Sequence, residues 1–161
     1  MTEIYFCGKD SIYGELKKQL SPRICGGFDI KRTQNGKPYI DGNPVYFSLS
    51  HSGNTGLFAI SDNPVGVDLE LYKKRKFQAV LSRFTLREQE EIKGEFKLFL
   101  KNWVVKEAYI KMLGATVADT LFSLEYAGGK LYTGGKQADC EITVKEYKDI
   151  GIYAICAGEI K

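Results

Sequence analysis

Two carboxylates two residues apart, Asp68 and Glu70 in VGVDLEL, lie in a run whose β-branched and apolar residues predict a strand. On a strand that spacing puts both acids on one face and Val67 and Leu69 on the other. Like charges so placed repel, and a bound cation relieves the repulsion. Oxygen donors without imidazole or thiolate suit a hard ion such as Mg²⁺, which keeps several waters and often bridges to phosphates. The pair also fits the polar face of an edge strand.

A second group of charges lies in WVVKEAYIK, residues 103 to 111. On a helix Glu107 and Lys111 are i, i+4 and share a face, with Trp103 one turn before Glu107 on the same side. Lys106 is turned about 100° away and points elsewhere, toward a second group on a ligand. A surface ion pair beside a half-buried tryptophan is the other reading. A third group, FSLSHSG at 47 to 53, ends a strand in Ser50, His51 and Ser52, whose turn could cradle a phosphate. A structural histidine fits as well. Upstream, Gly36-Lys37-Pro38 sets a lysine in a tight turn, either a solvated charge or a phosphate clamp.

The elements that must position these residues are legible in outline. Strands are predicted over 2–7, 45–50, 56–61 and 65–71, and helices over 10–20, 85–93 and about 95–113. Thr85 and Glu88 form a T-x-x-E capping box, and Gly114 is placed to end the long helix. Residues 23 to 43 are rich in turn formers, with signals at NGKP (35–38) and DGN (41–43), and DNP at 62–64 precedes the acidic strand. Strands return at 120–126, 130–133, 139–147 and 151–158, which makes the fold class α+β with helices packed on antiparallel sheet. No repeat is visible at the level of identity.

Bulk properties narrow the function classes. The 161 residues, 43% hydrophobic and 27% charged, describe one ordinary soluble domain with a real core. Cys7, Cys25, Cys140 and Cys156 make no C-x-x-C pair and read as reduced thiols, and with His51 the only histidine, an imidazole-based metal site is disfavoured. A net charge of +3 is too mild for a nucleic-acid surface but suits a cleft for a polyanionic ligand or an acidic partner. The N-terminus is unlike a signal peptide, and no stretch approaches the roughly 18 apolar residues of a membrane span, so the cytoplasm is the expected location.

The order GKP, FSLSHSG, VGVDLE, then W-x-x-K-E-A-x-x-K, running from Gly36 to Gly114, resembles the signature of the 4'-phosphopantetheinyl transferase superfamily. It is most similar to the broad-specificity, surfactin-synthetase-activating class, with a shortened N-terminal half. The resemblance implies Mg²⁺-dependent transfer of 4'-phosphopantetheine from coenzyme A to a serine of an apo acyl or peptidyl carrier protein, releasing adenosine 3',5'-bisphosphate. It implies a metal held by Asp68, Glu70 and Glu107, with Asp68, Glu107 and Lys111 as the catalytic set. His51, with Ser50 beside it, would contact the 3'-phosphate; Lys37 would lie at the adenine and phosphate end; Lys106 and Lys111 would reach the phosphates. Glu107 is the candidate general base, a role ranked below its ligand role. Lys17, Lys18, Arg23 and Arg32 are the candidates before Gly36 to substitute for the additional basic residues that bind the nucleotide, and nothing in the sequence chooses among them. The implied fold is a single domain, a pseudo-twofold pair of halves with a reduced first half at about 1–62 and a second at about 63–161. Asp68 standing mid-chain favours a monomer over the trimeric holo-synthase class. The alternative is a non-catalytic coenzyme A-binding protein associated with a biosynthetic assembly line.

Overall fold

The computed structural model describes residues 1–42, 45–73 and 75–159, so Asn43 of the DGN turn signal lies outside the described residues. The chain opens with strand β1 (Thr2–Gly8) and, after a short 3₁₀ turn, helix α1 (Ile12–Leu20). Ile12, Leu16 and Leu20 are spaced four apart and form the buried stripe of α1. The turn-rich stretch expected from 23 to 43 contains a small hairpin, β2 (Ile30–Arg32) with β3 (Pro38–Ile40). Its turn is closed by the Gly36 N–H donating to Thr33 O at 2.9 Å, with Gly36 at φ +83°, a conformation glycine adopts without strain.

Strands β4 (Tyr46–Ser52) and β5 (Thr55–Ser61) form a tight hairpin, and β6 (Val65–Leu71) follows. Helices α2 (Gln78–Leu81), α3 (Leu86–Ile92), α4 (Phe96–Leu113) and α5 (Val117–Thr120) come next. The capping box forms at α3: the Glu88 N–H donates to Thr85 Oγ1 at 3.3 Å and the Thr85 N–H to Glu88 Oε2 at 3.0 Å. The strand expected over 120–126 begins later than the sequence suggests. Thr116 caps a helical turn, its hydroxyl accepting from the Asp119 N–H, and a 3₁₀ turn at Leu121–Ser123 follows before β7 (Leu124–Ala127). Strands β8 (Lys130–Thr133), β9 (Lys136–Gln137), β10 (Glu141–Tyr147) and β11 (Gly151–Ala157) complete the described chain.

The strand orders carry the architecture. One sheet runs β1-β5-β4 and another β10-β11-β6, all pairs antiparallel. Each is built from a first strand, a helix, and a late hairpin whose second strand lies in the centre, so β1 through β5 and β6 through β11 repeat one plan without repeating a sequence. The first copy is the smaller, with a 9-residue α1 where the second has the 18-residue α4. Leu57 and Ala59 of β5 meet Val65, Val67 and Leu69 of β6 and Tyr153 and Ile155 of β11 in one buried cluster, so the two sheets share an inner face. Outside, Phe47, Phe58 and Ile60 pack on α1, while Ile152, Ala154 and Cys156 pack under α4.

Candidate active site

β6 forms an edge of its sheet, and its outward N–H groups need partners. β4 supplies them with side chains. The N–H groups of Val67, Leu69 and Leu71 donate to the hydroxyls of Ser48, Ser50 and Ser52 at 3.1, 3.3 and 3.1 Å. Serines at every second position share one face of β4, so each meets every second N–H of β6. Two of them donate onward, Ser50 to Asp68 Oδ1 at 2.8 Å and Ser52 to Glu70 Oε2 at 3.3 Å. Ser50 lines the cleft, with its hydroxyl directed to Asp68. His51, on the other face of β4, is exposed and lines the cleft.

On the far side of β6 lies α4, and Gly66 decides how near it comes. A Cβ on Gly66 would stand 1.9 Å from Ala108 O and 2.4 Å from Met112 N, so the helix backbone rests directly on the strand. Two residues along, Asp68 meets Lys111, whose Nζ donates to Asp68 Oδ1 at 2.7 Å. Asp68 is 3% exposed, and its Oδ2 is buried without a hydrogen-bond partner. Glu107, one turn before Lys111, opens into the same cleft, a cavity of about 490 Å³ also lined by Glu70, His51, Tyr13 and Arg32.

Burial, and then the charge of Asp68, push the Glu107 carboxyl up to about 7, with Lys111 opposing. From its ordinary value of 4.5 up to about 7, the folded chain keeps a proton that the unfolded chain has lost, so this group's contribution to stability falls as pH rises through that window. Glu107→Gln removes the penalty. In EDTA at pH 8 the variant is expected to be more stable than wild type by about 2 kcal/mol, a rise of roughly 4–8 °C in Tm, and the gap should close toward pH 4.5. Equal melting temperatures at pH 8 would contradict the burial of a charged Glu107.

The donor set fits a hard divalent cation: oxygen atoms only, one orphaned in a buried position, and like charges close enough to raise a pKa. Among the described residues no three His, Cys, Asp or Glu side chains are gathered into a ready-made cluster. Glu70 is turned aside, its Oε1 receiving Arg75 Nη2 at 3.1 Å.

A second cavity of about 230 Å³ adjoins the first, sharing Arg32, Leu49 and Lys111 and continuing past Lys37, Pro38 and Ala115. Lys37 lines it, but its Nζ donates to Met112 O at 2.6 Å in the last turn of α4, and burial lowers its pKa to about 8. That contact satisfies a carbonyl the helix end leaves free. Of Lys17, Lys18, Arg23 and Arg32, only Arg32 lines both cavities; its guanidinium donates to Gly36 O at 2.9 Å and to the Tyr13 hydroxyl. Arg23 is held by Glu3 at 2.8 Å, and Lys17 and Lys18 are exposed in the last turn of α1.

The sequence model of the 4'-phosphopantetheinyl transferase superfamily matches residues 64–147, from just before Gly66 through β10. The chain belongs to the 4'-phosphopantetheinyl transferase superfamily. It is 35% identical over 92 residues to the 4'-phosphopantetheinyl transferase AcpT of Salmonella typhi, covering 52% of this chain and 48% of that protein. Against the 4'-phosphopantetheinyl transferase gsp of Aneurinibacillus migulanus it is 31% identical over 92 residues, 53% of this chain and 38% of that one. The 4'-phosphopantetheinyl transferase of Bacillus subtilis is 31% identical over 94 residues, with shares of 55% and 42%. The chain thus spans less than half the length of these relatives.

The superfamily match takes in Asp68, Glu70, Glu107 and Lys111, whereas Lys37, Ser50, His51 and Arg32 lie before it. It also contains Lys106, and here the structure corrects the sequence. Lys106 is fully buried, its Nζ 2.6 Å from Glu88 Oε1 and 3.8 Å from the centre of the Phe84 ring. Glu88 also accepts the Tyr126 N–H at 2.8 Å, so the transferase-signature lysine ties α4 to α3 and β7 and reaches no phosphate. The rotation away from Glu107 is as expected; its destination is a core carboxylate.

Proposed function

We propose that this chain transfers 4'-phosphopantetheine from coenzyme A to a serine hydroxyl of an apo acyl or peptidyl carrier protein, with Mg²⁺ held by Asp68, Glu70 and Glu107. The observation that carries the reading is Asp68 itself: a buried carboxylate with one oxygen fixed by Ser50 and Lys111 and the other lacking a partner, beside Glu70 and Glu107 in one cleft. When bound there, the cation supplies charge neutralisation on the pyrophosphate oxygens. The chain's own residues do the rest. Glu107, first a ligand, is also the candidate to accept the proton of the carrier serine as its oxygen bonds to the β-phosphorus. The phosphoanhydride bond to the nucleotide breaks, and adenosine 3',5'-bisphosphate leaves. Lys111 stands where negative charge gathers on the phosphoryl and departing oxygens. Arg32 and His51 line the cleft wall, which supports a role for them on the nucleotide's phosphates, and the adjoining cavity beside Lys37 and Pro38 would take its base.

On this reading the chain works as one domain, with halves at about 1–62 and 63–161, as a monomer in the cytoplasm where coenzyme A and carriers meet. No helix among the described residues is long and apolar enough to cross a membrane. The test is incubation with coenzyme A, Mg²⁺ and a panel of apo carriers, followed by intact-mass analysis. A phosphopantetheine increment that EDTA abolishes is the expected outcome. Binding of coenzyme A with no increment on any carrier would replace transfer by the non-catalytic binder.

A further inference from the structure

Glu70 is the one proposed metal ligand engaged by a cation from a loop. Arg75 Nη2 lies 3.1 Å from Glu70 Oε1, and the Ser52 hydroxyl holds Oε2 at 3.3 Å, so both oxygens are engaged. The same guanidinium is within 5.9 Å of the centre of the Trp103 ring, one helical turn before Glu107. Arg75 therefore bridges the end of β6 to the face of α4 that carries Trp103. In the sequence it belongs to the basic run KKRK at 73–76, which begins three residues after Glu70. Lys111 stands to Asp68 as Arg75 stands to Glu70, but Lys111 is fixed on a long helix, whereas Arg75 is 42% exposed and lies in no helix or strand.

Two positive groups cannot share one carboxylate oxygen at contact distance without mutual repulsion. A divalent cation that takes Glu70 through Oε1 therefore competes with Arg75. Glu70 meets the arginine through Oε1 while lining the same cleft as Asp68 and Glu107. We propose that Arg75 is a displaceable counter-ion of the metal site, a positioning residue that holds Glu70 aside until a divalent cation releases it. The proposal rests on the reading of Asp68, Glu70 and Glu107 as metal ligands.

Calorimetric titration of Mg²⁺ alone into the EDTA-stripped full chain tests it without reference to turnover. A partly exposed ion pair is weak, so Arg75→Gln should lower the Mg²⁺ Kd by about two- to five-fold. Arg75→Lys, which keeps a charge but loses the planar fork, should fall between and serves if the glutamine variant fails to fold. Arg83→Gln is the control: it removes the same charge from a side chain stacked 3.6 Å over Phe122, and should leave the Kd unchanged. An unchanged or raised Kd in the Arg75 variants, or equal tightening in the Arg83 variant, overturns the proposal while the metal reading stands. No Mg²⁺ binding by wild type or any variant overturns both.

Discussion

Replacing Asp68 by alanine is expected to lower phosphopantetheine transfer by about 10²- to 10³-fold while reducing coenzyme A binding far less. Three constraints converge on this side chain: the Ser50 hydroxyl, the Lys111 ammonium, and a buried oxygen waiting for a partner. On the proposed reading alanine removes a metal donor and also releases Lys111 from its place, so the positive charges proposed to meet the phosphoryl group are weakened together. Asp68→Asn separates the two effects, because it keeps the volume and one oxygen while losing the charge. Rates from intact-mass time courses, with Mg²⁺ titration of each variant, measure both. Transfer by the alanine variant at the wild-type rate would remove Asp68 from the metal site.

The second large effect concerns a residue with no side chain. Gly66→Ala is expected to cost about 3 kcal/mol or more, a fall of roughly 6–12 °C in Tm, since the new methyl would enter the backbone of α4 at Ala108 and Met112. The helix would have to lift off β6, which also parts Lys111 and Glu107 from Asp68, so activity should fall further than stability alone dictates. Gly14→Ala supplies the contrast. It lies inside α1 with nothing within 4 Å of an added Cβ, and the same chemical change there should be neutral or stabilising by up to about 1 kcal/mol. Melting curves of the two variants side by side decide the matter, and a Gly66 variant that melts with wild type would show that the close approach does not hold the helix.

What the sequence disclosed, and what it hid, follow from the range of the interactions. β6, α4 and the Thr85–Glu88 box were readable because their signals are local: alternation, helical spacing, and a cap three residues from its partner. The serine contacts were not, because a hydroxyl that bonds a backbone N–H 19 residues away leaves no mark of its partner's identity. Lys106 shows a subtler failure. Glu88 already had an explanation as a capping residue, which concealed that its other oxygen takes the buried ammonium. The five-residue step from Glu70 to Arg75 matches no regular period, so nothing in the chain announced that pair. Arg32 was indistinguishable from Lys17, Lys18 and Arg23 until the β2–β3 hairpin turned it into the cleft.

The serines of β4 act as a ruler. Backbone ladders fix strand register through groups every residue shares, but here the alignment of β4 with β6 is written in side chains at alternate positions. A slip of two residues would preserve a similar set of bonds while moving His51 by about 6.6 Å relative to Asp68. The distance between the histidine wall and the acidic centre of the cleft is therefore measured out in serines, and the length of ligand the cleft accommodates is set by the same count.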